Sequence, residues 1–210
     1  MTFDHPLKFM PHIDAKMIWL TSFLLISNSA MAIEEPKFTS IEKEGPFEIR
    51  VYAPKMIAEV SVTGNLQESS NKGFRSIADY IFGNNTAASG KQEKISMTAP
   101  VVMKAEPSNT KESSNRWLMY FVMPSQYTHS SIPKPNSPNV CLRDVAEKKV
   151  AVLKFSGLVN EEKIAKKTTE LTLWITGKKL RPLSDPELAR YNPPWTLPFL
   201  RRNEIMIEVE

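Results

Sequence analysis

Ala58, Val60 and Val62 alternate with Glu59, Ser61 and Thr63, the two-residue period of a strand with one buried face. Ala151, Leu153 and Phe155 repeat that apolar face further along the chain. Elsewhere the period changes. Phe74, Ile77, Ala78 and Ile81 fall at i, i+3, i+4 and i+7, one stripe of a helix, with Gly83 as a natural stop. Ile164, Thr168, Leu171 and Ile175 form a second stripe, which ends at Gly177. Further strands are predicted over residues 94–105, 117–123 and 204–210. Between them lie two polar loops, 106–115, rich in Ser, Asn and Lys, and 124–139, which holds four prolines.

These elements are arranged as a repeat. Laid at an offset of 93, residues 49–64 match residues 142–157: Arg50 falls on Arg143, Ala53 on Ala146, Lys55 on Lys148, Ala58 on Ala151 and Gly64 on Gly157. A helical segment follows each glycine. The chain therefore reads as a duplicated strand-strand-helix-strand unit, repeat one over about 46–105 and repeat two over about 139–210. Two such units pair about a pseudo-twofold axis. The fold class expected is α+β, with helices packed on mainly antiparallel sheet.

At 210 residues the chain has room for one domain with a real core. Sixteen prolines against seven glycines point to stiff, extended connections. The net charge of +4 is spread along the chain rather than clustered, which argues against nucleic acid as a partner.

The N-terminus carries a different signal. Lys8 and Lys16 lead into an apolar run, residues 17–26, followed by Ser27, Asn28, Ser29 and the small-residue exit Ala30-Met31-Ala32. This is the pattern of a secretory signal peptide cleaved after Ala32, with Met10 and Met17 as alternative starts. The run is about half the ~20 residues of a membrane-spanning helix. Export to the periplasm or medium is expected, with residues 33–210 as the mature domain and no stable membrane span. Cys141 is the sole cysteine, so no internal disulfide is possible, and its strand-like neighbours predict a small buried residue.

Catalytic patterns are absent from the sequence: there is no G-x-S-x-G, H-E-x-x-H, P-loop, dinucleotide fingerprint or C-x-x-C-H. Beyond residue 32 the one histidine is His129, in the proline-rich loop. It is the single candidate metal ligand, and a solvated loop side chain is the preferred reading. Methionine is the abundant soft group: Met56, Met97, Met103, Met119 and Met123 all fall in predicted strands, as core filler or as the lining of an apolar cleft. Tyr52 and Trp117 are able to stack on a ring. Candidate ring contacts are Tyr52, Phe74, Ile77, Ile81, Met97, Met103 and Met123.

Several phrases, in order, resemble the SOUL/haem-binding family across nearly all of residues 36–210. They are Gly45-Pro46-Phe47-Glu48-Ile49-Arg50-Val51-Tyr52, the run from Gly73 to Asn85, Met97-Thr98-Ala99-Pro100-Val101, Phe121-Val122-Met123-Pro124, Pro133-Lys134-Pro135-Asn136, and the run from Arg190 to Ile205. The resemblance implies a distorted barrel of two sheets flanked by two helices. It also implies non-enzymatic binding of haem or a related porphyrin in an apolar cleft. Some members use a histidine ligand; no histidine stands in the matching strand and helix segments here, which points to ring burial without strong histidine ligation. The duplicated unit also resembles the small-molecule-binding domains of drug-responsive regulators. The rival expectation is thus a scaffold or a carrier of another amphipathic molecule, and a charged or proline-filled cleft would favour it.

Overall fold

The computed structural model describes Met1 and residues 33–106 and 116–210. The expected signal segment and nearly all of the 106–115 loop lie outside the described residues. Ile33–Glu210 form one compact unit.

The chain opens with a hairpin of β1 (Phe38–Glu44) and β2 (Phe47–Tyr52), then β3 (Lys55–Thr63) and helix α1 (Leu66–Ile81). After the short β4 (Asn85–Thr86) come β5 (Val101–Ala105), β6 (Arg116–Val122) and the short β7 (Lys134–Pro135). A second hairpin, β8 (Cys141–Val145) and β9 (Lys148–Phe155), leads to α2 (Glu161–Gly177), β10 (Glu187–Arg190) and β11 (Asn203–Glu208). Both helices begin on an asparagine. The Asn65 carboxamide oxygen accepts from the Glu68 N–H at 2.9 Å, and the Asn160 oxygen accepts from the Lys163 N–H at 2.9 Å. Each cap satisfies one of the free donors of a first turn.

Nine strands join in one antiparallel sheet, in the order β1-β2-β9-β11-β10-β5-β6-β3-β8, while β4 and β7 form a separate ribbon. The expected pair of sheets is thus a single curled sheet, because β10 pairs with β5 and carries the hydrogen-bond ladder across the middle. Read inward from β2 the order is β2, β9, β11, β10; read inward from β8 it is β8, β3, β6, β5. Counted inward from β2 and from β8, the three strands after the first follow the same pattern of chain order in both halves.

The helices cover one face. Ala58, Val60, Met103, Met119 and Phe121 pack under α1 with Ile77, Tyr80 and Ile81. Ala151, Leu153, Ile205 and Ile207 pack under α2 with Leu171 and Ile175. The other face has no helix and closes on itself. Tyr52 of β2 and Val145 of β8, from opposite ends of the strand order, share one cluster with Ile57, Val102, Tyr120, Val150 and Met206. The sheet is therefore a half-barrel, its period-two residues divided between a helix-covered outside and a self-packed inside.

Two further expectations are corrected. The strand over 94–105 begins only at Val101, because Pro100 has no N–H and the preceding backbone bonds elsewhere: Ile95 N–H to the Ile81 carbonyl at 2.8 Å, Ala99 N–H to the Glu34 carbonyl at 2.9 Å. Cys141 is exposed, not buried, because β8 is the edge of the sheet and Cys141 opens it. Helix α2 ends at Gly177 as expected, and the left-handed residue that follows it is Lys179 (φ 58°). The strands β1 and β10 were not visible in the apolar pattern.

Candidate functional site

The seven candidate ring contacts do not form one surface. Tyr52 lies on the inner face of the half-barrel, its hydroxyl accepting from Arg50 at 3.0 Å. Ile77, Ile81, Met103 and Met123 are buried in the core beneath α1. Phe74 and Met97 reach solvent, each 38% exposed. Phe74 projects from α1 with its ring 5.7 Å from that of Phe121. Met97 belongs to the segment fastened to the end of α1 through Ile95 and to β6 through the Thr98 hydroxyl, which donates to the Val122 carbonyl at 2.6 Å.

Sequence reasoning missed Phe82, two turns beyond Phe74 and exposed at the helix end. Its spacing to Phe74 and Ala78 was legible as i, i+4, i+8. The Lys94 ammonium lies 5.8 Å from its ring centroid. Arg75 is exposed on the next position of the helix from Phe74. The exposed groups on α1 and on the segment that follows it thus include Phe74, Phe82, the Met97 thioether, Arg75 and Lys94.

Two clefts open elsewhere. One, of about 180 Å³, is walled by Glu34, Glu35, Lys37, Lys55 and the prolines Pro36, Pro54 and Pro124. The other, of about 90 Å³, is the mouth of the half-barrel, where Lys55, Lys104, Arg143, Lys148, Glu187 and Glu208 ring Tyr52 and Tyr120. Its groups are coupled. Tyr120 donates to Glu187 at 2.6 Å, and burial together with that carboxylate pushes its hydroxyl pKa well above the ordinary value. Lys55 sits 4.4 Å over the Tyr52 ring, and burial pulls its ammonium below the ordinary lysine range against the field of Glu187. Arg143 is held by Glu59 at 2.9 Å, and Lys148 by Glu208 at 2.5 Å.

Pockets that enclose a small organic ligand run to about 300–1,000 Å³. Both clefts fall below that range, so neither encloses a porphyrin. His129 is exposed and meets Asp144 at 2.7 Å. Among the described residues, no three His, Cys, Asp or Glu side chains gather as a metal site. No helix of the described residues is long and apolar enough to cross a membrane.

The half-barrel with two helices on its outer face is a known small-domain architecture. The chain superposes on the C-terminal domain of EcmrR with a TM-score of 0.59 at 12% identity, over 78% of this chain and 96% of that one. An uncharacterized conserved protein from Listeria innocua gives 0.58 at 12% identity, over 78% and 92%. At such identity the likeness is one of fold alone. The sequence identifies the lineage: the chain belongs to the SOUL heme-binding protein family, whose model matches residues 33–208. It is 32% identical to human Heme-binding protein 2 over 140 residues, 64% of this chain and 66% of that protein. It is 26% identical to Xenopus laevis Heme-binding protein 1 over 167 residues, 78% of this chain and 84% of that one. The human protein and its mouse counterpart are spanned over 66% and 64% of their length, just under two thirds.

Proposed function

We propose that this protein binds haem or a related tetrapyrrole without catalysing a reaction, on the exposed flank of α1 rather than inside a cleft. The observation that carries the reading is that Phe74 and Met97 alone of the seven candidates reach solvent, while an exposed Phe82 meets Lys94 at the end of α1. Ring burial drives the binding, cations at the edge answer the propionates, and no histidine ligates iron. The Met97 thioether is the soft group available to an iron on this flank. The names of the human and frog relatives support the ligand class. Titration of the protein with hemin and with iron-free protoporphyrin tests it. Equal affinities are expected, both weakened by Phe74→Ala and Met97→Ala; no saturable binding of either ring would sink the proposal.

A second reading is favoured by the charged mouth of the half-barrel and by the proline-walled cleft beside it. In it the protein carries another amphipathic molecule, whose polar end meets Lys55, Lys104 and Glu187. Binding of hemin that Phe74→Ala leaves intact and Lys55→Ala abolishes would move the site there. The same proposal takes the fold as a duplicated unit, which the mirrored strand order supports, and the protein as exported, which the 1–32 pattern supports. N-terminal sequencing of protein recovered from the cell envelope, starting at Ile33, checks the latter.

A further inference from the structure

The chain between β10 and β11 is a closed, stiff loop with its apolar side chains turned outward. Trp195 is 83% exposed and Phe199 69%, with Leu197 and Leu200 also exposed, and Leu158 beside them in the loop before α2. Monomeric proteins rarely leave so many large apolar groups together in water without a use. The loop is not loose. Arg201 reaches back to the Thr196 carbonyl at 2.8 Å and to the Pro194 carbonyl. The Asn192 side chain accepts from the Arg202 N–H at 2.6 Å, closing the base. Pro198–Leu200 form a 3₁₀ turn, and the Pro198 carbonyl accepts from the Gly157 N–H at 2.9 Å, which fastens the Leu158 loop to it. Three prolines, Pro193, Pro194 and Pro198, stiffen the backbone.

The charge beside the loop is mixed: Arg202 is paired with Glu35 and Glu204 and Arg190 turns inward to Ser70, which leaves Arg201, Lys154 and Lys163 as the cations available to a partner. Residues 190–202 contain three arginines and no Asp or Glu. Arg201, Lys154 and Lys163 have no carboxylate within ion-pair distance among the described residues. Lys163 instead donates to the Ser156 carbonyl at 2.8 Å, next to the loop. Glu161 and Glu162 follow Leu158 in the chain but stand on the first turn of α2, where the partial positive charge of the helix end offsets them.

We propose that this prominence is a membrane-docking loop, which buries Trp195, Leu197, Phe199, Leu200 and Leu158 in the interfacial zone of an anionic bilayer. A convex apolar knob enters lipid, whereas a protein partner's groove would have to be shaped to it. Tryptophan suits the boundary because its ring is apolar and its N–H prefers the wet side. The stiff backbone leaves little entropy to lose on insertion, and the unpaired cations meet lipid phosphates.

Flotation of the full chain with vesicles of phosphatidylcholine and phosphatidylglycerol in equal parts tests this. The apolar run 17–26 is common to every variant, so parent is compared with Trp195→Ala/Phe199→Ala, and Leu173→Ala on α2 serves as an exposed control. The double variant is expected to partition about tenfold or more weaker, as the loss of two large apolar anchors implies, and the control to match the parent. Lys154→Glu is expected to weaken binding to the anionic vesicles. Brominated lipid is expected to quench the parent's fluorescence more than that of Trp195→Phe. Equal partitioning of parent and double variant overturns the proposal. So does a lipid-free dimer in light scattering that the double variant abolishes, which would make the occupant a second copy of this chain.

Discussion

Arg50 and Glu204 meet at 2.9 Å on the inner face of the sheet, reaching across the intervening strand β9, and both are almost completely buried. Arg50 also holds Glu48 at 2.7 Å, while Tyr191 donates to Glu204 at 2.7 Å. Such a group stabilises only while every member is paired, since a lone buried charge loses its hydration without return. Glu204→Gln is therefore expected to cost roughly 3 kcal/mol in urea unfolding. Replacing both partners by Met and Leu is expected to cost less than that single change.

Glu48 makes the same cluster sensitive to pH. Burial raises its pKa, but hydrogen bonds from Arg50 and Ser40 outweigh this and hold it below the ordinary 4.5. A folded-state pKa below the unfolded one means that ionised Glu48 favours the fold above pH 4.5 and that its contribution fades as pH falls through and below that value. The stability difference between parent and Glu48→Gln is expected to be full at neutral pH and to shrink below about pH 4.5 in urea titrations.

Gly73 lets α1 lie close on β6. A Cβ there would stand 2.9 Å from Met119 Sδ and 3.1 Å from Met119 Cβ. Gly73→Ala gains about 1 kcal/mol in helix propensity but must displace a buried neighbour, at about 1–3 kcal/mol. It is expected to destabilise the parent and to stabilise a Met119→Ala background. That reversal of sign, read from a double-mutant cycle, isolates the contact.

Cys141 opens the edge strand β8 and is exposed. In the native protein it is expected to react fully with Ellman's reagent, at a rate that denaturant raises little. A thiol that reacts only after unfolding would contradict the placement of β8.

His129 Nε2 and the Asp144 carboxylate meet at 2.7 Å on the exposed surface. His129→Ala is expected to shift stability by no more than about 1 kcal/mol. The Soret spectrum of bound hemin is expected to be unchanged. Loss of the band in this variant would restore histidine ligation.

The apolar period along the chain determined the β3 and β9 strands and both helix stripes, because side chains at spacing two or three to four share a face whatever the rest of the chain does. It also determined the family, through phrases that run in order. What it left open was which apolar faces another element would cover. Phe74 and Ile77 belong to one stripe, yet Ile77 is sealed under the sheet while Phe74 stands at the rim. Met97 and Met103 read alike, but the backbone of residues 95–99 bonds to α1 and Glu34 instead of joining the ladder, so only Met103 is core. Tyr52 went to the inner face, and Trp195 to Leu200 outward, because the curl of the sheet and the loop's own hydrogen bonds set those directions. Spacing decides which face of an element is apolar; only packing decides whether that face meets protein or water.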